Sequence, residues 1–154
     1  MAIPISLSAI VDELETLNSE FYTYVNRTTG EIITVSNEDL VVAETDYELD
    51  DFPAWQLDLL AAAQKILSSD EFVRLPTSED IHEWSIMQQF CYTLESDRQR
   101  RMLLDQLHGK GAFRKFKDTV NRYNLQEAWF AYYKAALRQI AADFLDAEGI
   151  AYVA

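Results

Sequence analysis

From Leu125 to Ala147 the chain runs without a glycine or a proline, and its apolar residues recur at helical spacing. Trp129, Tyr132 and Tyr133, Ala136 and Leu137, Ile140 and Phe144 fall on one stripe, which predicts a long amphipathic helix. Gly149, just beyond it, is placed as a C-terminal cap. Most helical stability in a protein comes from packing an amphipathic face, so this stripe reads as packing material.

Those other segments are mixed in type. Leu7, Ile10, Val11, Leu14 and Leu17 read as a short helix over 7–17, with Ser6 or Ser8 as its cap. Two runs rich in aromatic and β-branched residues, within 21–35, flank Asn26-Arg-Thr-Thr-Gly30 and predict a hairpin with Gly30 at positive φ. Ser36, followed by Glu38 and Asp39, starts a short helix reaching about Glu44. Residues 44–51 hold five carboxylates in eight positions but lack the glycine and terminal glutamate of a calcium loop, so they read as a solvated acidic linker. Pro53 opens a helix to about Leu67, with Trp55, Leu59, Ala62, Ala63 and Ile66 as its apolar face. Phe72-Val-Arg-Leu75, ahead of Pro76, is a third strand expected to pair with the hairpin.

Thr77-Ser-Glu-Asp80 has the form of a capping box, and Ile81, Trp84, Met87, Cys91 and Leu94 continue it as a helix to about Ser96. A further helix spans Arg98 to Leu107 with Met102, Leu103 and Leu107 inward, and His108-Gly-Lys-Gly111 breaks it. The next helix places Phe113, Phe116 and Val120 on its inner face and ends at Asn124. The expected class is α+β: a small antiparallel sheet, hairpin plus one strand, packed against a helix-rich C-terminal half. No repeat or clear boundary divides the chain, so 1–154 reads as one domain. At that length roughly 70% of the unfolded surface can be buried.

Net charge is −13, which argues on its face against nucleic acid, but the distribution is uneven. Residues 1–97 hold 20 Asp/Glu against 3 Lys/Arg, a net −17, while 98–154 hold 10 Lys/Arg against 6 Asp/Glu, a net +4. Seven of the thirteen basic residues and two of the four glycines lie within 97–118. Either the two surfaces neutralise each other within one fold, or the basic part faces an anionic partner.

The chemistry-bearing residues exclude more than they assign. His82-Glu83 would need a histidine at position 86 for a zinc-protease helix, and that residue is Ile86. His108 has no neighbouring cysteine or histidine to share a metal. The single cysteine, Cys91, lies in an apolar helical pattern and reads as a buried, inert thiol in a reducing cytosol. No nucleophile motif accompanies a base, and neither a Walker loop nor a dinucleotide fingerprint is present. No catalytic residue, metal or cofactor is expected. No run is long and apolar enough for a membrane span, and the N-terminus lacks a signal-peptide pattern.

One loop has a physical case. Gly109 and Gly111 can turn backbone N–H groups outward, Gly111 opens a helix, and Lys110, Arg114, Lys115 and Lys117 surround it with charge. These six residues are the candidate anion or partner site. The competing reading makes the glycines no more than a tight corner between two helices. A helix–turn–helix use of Arg114, Lys115 and Lys117 is opposed by the acidity of the whole chain.

The run Gly109-Lys-Gly-Ala-Phe-Arg-Lys-Phe-Lys-Asp118, with Trp129 after it, resembles the core of the bacterial group known as uncharacterised protein family 0158. The hairpin ending Thr29-Gly30-Glu31, the Leu75-Pro76 step and the close of the last helix at Gly149-Ile150 are similar too. Phe144-Leu145 departs from the usual Trp-Leu pair, a change that touches packing. The resemblance implies a small bacterial cytosolic protein and brings no catalytic residues with it. The combined expectation is a cytoplasmic interaction domain that binds a protein partner through the basic ridge. The alternative is a nucleic-acid, nucleotide or phosphate-binding module using the same ridge. A hydrolase or transferase acting on a phosphorylated substrate lacks any identified base or nucleophile.

Overall fold

The computed structural model describes residues 4–154. They form an α+β chain that divides into two compact units, one of residues up to Ser78 together with Ala141–Ala154, the other Glu79–Ile140.

In the first unit, β1 (Ile5–Ser6) leads into α1 (Leu7–Glu15), which Ser6 caps by accepting from the Ala9 N–H at 3.3 Å. The hairpin forms as expected from β2 (Phe21–Asn26) and β3 (Ile32–Ser36), with Tyr24 opposite Ile33 and Gly30 at φ 77°. Asn26 Oδ1 shapes the turn by accepting from the N–H groups of Thr28 and Thr29, at 2.8 and 2.9 Å. β4 (Phe72–Arg74) is the expected third strand and pairs antiparallel with β2, giving the order β3-β2-β4. The Thr28 hydroxyl donates to the Glu71 carboxylate and ties the hairpin turn to the start of β4.

Ser36 caps α2 (Asn37–Ala43), and a 3-10 turn at Leu49–Asp51 precedes α3 (Ala54–Leu67). Val35, Ala43, Ala63 and Ile66 form the core between the sheet and these two helices. On α3 the inner residues are Leu60, Ala63 and Ile66, whereas Trp55 and Leu59, expected on the covered face, are exposed. A feature the sequence pattern did not reveal closes this unit: β5 (Tyr152–Val153) pairs in parallel with β1, Ile5 opposite Tyr152.

The second unit holds α4 (Glu83–Tyr92), α5 (Asp97–Gln106), α6 (Ala112–Arg122) and most of α7 (Gln126–Ala147), which runs on into the first. Its core is aromatic. Phe90, Phe116 and Trp129 meet edge to face, with ring centroids 5.2–6.3 Å apart. Met87, Cys91, Leu103, Leu107 and Val120 fill the space around them. The capping-box expectation at Thr77–Asp80 fails, because 78–80 form a turn and α4 starts only at Glu83. Ile81 is first buried, and His82 then re-aims the chain with a left-handed φ of 37°. Asn124 also sits left-handed, at φ 56°, and ends α6 with the Leu125 N–H donating to the Val120 carbonyl at 2.9 Å. Gly149 does the same for α7, where the Ile150 N–H reaches the Leu145 carbonyl at 2.9 Å.

Candidate binding surface at the glycine turn

The turn joining α5 to α6 is built by two left-handed glycines, Gly109 at φ 78° and Gly111 at φ 72°. A β-carbon at either position would meet no atom within 4 Å, so backbone direction, not crowding, demands glycine there. Residues 108–111 are all exposed. On the α5 side the turn is tied down by side chains. The Trp84 indole N–H donates to the Leu107 carbonyl at 2.8 Å, and Lys115 Nζ donates to the His108 carbonyl at 2.9 Å. These two donors satisfy carbonyls that the end of α5 leaves without helical partners. On the α6 side the first intrahelical bond is Lys115 N–H to the Gly111 carbonyl, at 2.9 Å. The N–H groups of Ala112, Phe113 and Arg114 therefore precede that ladder, at the positive end of the helix dipole.

The six candidate residues thus divide by role. Gly109 and Gly111 shape the backbone. Lys115 reaches back across the turn to its own chain. Lys117 points to α4, where its Nζ lies 3.4 Å from Glu83, and both line a groove of about 300 Å³ floored by Val120 and Trp129. Arg100, on α5, is likewise held by Asp97 at 2.6 Å. Lys110 and Arg114 are exposed and take part in no ion pair among the described residues.

At this turn, Phe113 departs from its sequence-based expectation. Expected in the core with Phe116, it is 46% exposed, while Phe116 is fully buried. The two lie on nearly the same side of α6, but the packed layer begins only at Phe116, and Phe113 sits in the uncovered first turn. Thr119, not singled out from the sequence, takes an inward position instead, its hydroxyl satisfied by the Lys115 carbonyl at 2.9 Å. Helical phase alone would have flagged Thr119, but its polarity masked it.

A model of the group described as Uncharacterised protein family (UPF0158) matches residues 2–154. The chain belongs to that family. No curated protein and no solved structure matches it. In this member of UPF0158 the run from Gly109 to Asp118 thus serves two purposes at once: Phe116 anchors the interior of the second unit, and Phe113 is left at the surface, close in sequence to Lys110 and Arg114, which make no ion pair among the described residues. Cys91 offers no nucleophile, since burial pushes its thiol up to about 11. No described helix of the chain is long and apolar enough to cross a membrane.

Proposed function

We propose that the protein is a cytosolic interaction module that binds an acidic protein partner through Lys110, Phe113 and Arg114. The observation that carries this reading is Phe113: a phenylalanine 46% exposed and close in sequence to Lys110 and Arg114, two exposed cations with no ion pair among the described residues. An aromatic anchor with an adjacent arginine is the composition that concentrates binding energy at protein interfaces. The partner it fits presents an apolar pocket rimmed by carboxylates. Lys115 and Lys117 act at one remove, holding the turn and the α4–α6 contact. A second reading, a phosphate or nucleic-acid ligand, is supported by the free first-turn N–H groups behind two left-handed glycines.

The two are separated by one set of variants. With a nuclease-treated lysate, Phe113→Ala and Arg114→Ala should each lose a defined protein that the unaltered chain retains, by about tenfold in affinity. Partner retention unchanged by both variants overturns the first reading. If retention disappears with nuclease, and heparin or RNA binding falls with Lys110→Ala and steeply with salt, the second reading replaces it.

A further inference from the structure

α3 is covered along only part of its length. Its apolar stripe runs Trp55, Leu59, Ala62/Ala63, Ile66, and from Leu60 onward the inner residues are buried. Trp55 is 67% exposed and Leu59 43%, and they lie one turn apart on the same side of the helix. Leu49, in the preceding 3-10 turn, is 64% exposed. The Tyr47 and Phe52 rings, on either side of that turn, meet edge to face at 5.8 Å. Single exposed apolar residues are ordinary, but a tryptophan and a leucine together on one helix face form a surface that water covers poorly.

The sequence leading into and through this face carries charge of one sign as far as Lys65, whose ammonium is paired with Glu31 at 2.7 Å. Between Arg27 and Lys65 the sequence contains no lysine or arginine and nine Asp/Glu. Asp50 and Asp51 precede α3, Asp58 adjoins Leu59 one turn from Trp55, and all three are exposed. No ion pair among the described residues involves any of them.

We propose that the Trp55–Leu59 face docks a basic amphipathic helix of another protein. Its apolar side chains would cover Trp55 and Leu59, and its lysines or arginines would meet Asp50, Asp51 and Asp58. The charge decides among occupants. An acidic segment, a nucleic acid or an anionic membrane would meet repulsion from Asp50, Asp51 and Asp58. A neutral apolar segment would strip water from carboxylates without pairing them, a cost that a cationic segment avoids. Apolar anchors at helical spacing in a groove or on a face are a recurrent mode of helix recognition. This surface lies in the first unit and does not depend on the glycine turn of the second.

The test uses the full chain and a labelled synthetic peptide of about 14 residues, with leucines at helical spacing and lysines elsewhere, a length marginal as a free helix. Two controls accompany it: the same lysines with glutamines replacing leucines, and the same leucines with glutamates replacing lysines. Fluorescence anisotropy should show binding of the basic amphipathic peptide alone, weakened by salt. Trp55→Ala and Leu59→Ser should each weaken it about tenfold or more, while Phe113→Ala leaves it unchanged. Circular dichroism checks that each variant is folded. Equal binding of the leucine-free peptide would reduce the feature to an acidic cluster and overturn the proposal, as would binding insensitive to Trp55→Ala. Self-association of the chain that Trp55→Ala abolishes, measured by sedimentation, would make a second copy the occupant and overturn it too.

Discussion

In α3 burial begins at Leu60 and in α6 at Phe116, so each helix leaves the start of its own apolar face in water. Trp55 and Leu59 are bare in one, Phe113 in the other. The surroundings are opposite. Carboxylates stand around the first, Lys110 and Arg114 around the second. The beginnings differ as well: α3 follows Pro53 at φ −67°, a region open to most residues, while α6 follows Gly111 at φ 72°. Apolar periodicity therefore reports which face of a helix is sticky, and the neighbouring elements decide how far along it is covered. Where cover stops, local charge selects the partner, and these two ends cannot select the same one.

The largest effect is expected from truncating one residue on each side of the point where cover starts. Phe116→Ala should cost about 3–5 kcal/mol in urea unfolding, because it opens a cavity between Phe90 and Trp129. Phe113→Ala should stay within about 0.5 kcal/mol, as an exposed site does. The same contrast is expected in α3, with Leu60→Ala costing about 2–5 kcal/mol and Leu59→Ala little. A loss above about 2 kcal/mol for Phe113→Ala would place it in the core and end the parallel.

Whether the covered part of the second unit is sealed from water can be read from Cys91, which lies in the same cluster as Phe116. Burial raises its thiol from 9.0 to about 11. The unfolded chain therefore releases the proton first, and the native state keeps it. Stability is fully present below pH 9, falls as pH rises toward about 11, and is lost by at most about 2–3 kcal/mol. Cys91→Ala should remove that increment of alkaline sensitivity while leaving the contribution of the tyrosines and lysines. Unfolding midpoints for both proteins across that window check it. Identical alkaline slopes would mean that water reaches the thiol.

Most local signals were legible, the Thr77–Asp80 capping box being the exception. The hairpin at Asn26–Gly30, the Ser36 cap, the third strand at Phe72, the Asn124 stop and the Gly149 cap each depend on residues close in sequence, and each formed. What escaped depends on distant neighbours. The β1–β5 pair joins Ile5 to Tyr152 through only two residues each, too short for a period to show. In α7 the expected inward pair Ile140 and Phe144 is half-buried, and Ala141 and Leu145 are the fully enclosed positions, a shift of one residue. At the turn, both glycines and the outward Lys110 and Arg114 could be read from sequence. The engagement of Lys115 with the His108 carbonyl and of Lys117 with Glu83 could not, because each needs the fold to bring its partner near.

The smallest effect expected concerns how the two helices begin. Gly111 has open space where a β-carbon would go, so Gly111→Ala introduces no clash and costs only the left-handed strain. That strain is about 1–2 kcal/mol, offset by about 0.4–1 kcal/mol from the stiffer unfolded chain. Asparagine tolerates this region better, as Asn124 does at φ 56° in the same unit, so Gly111→Asn should cost less than Gly111→Ala. Pro53→Ala, at a position whose φ suits any residue, should cost less than about 1 kcal/mol and only through the unfolded chain. Thermal or urea unfolding of the three variants gives the order. If Gly111→Asn cost as much as Gly111→Ala, backbone direction would not be what the turn requires of that residue. The glycine would then have to answer to something seated against the turn, which returns the question to the occupant of the Phe113 surface.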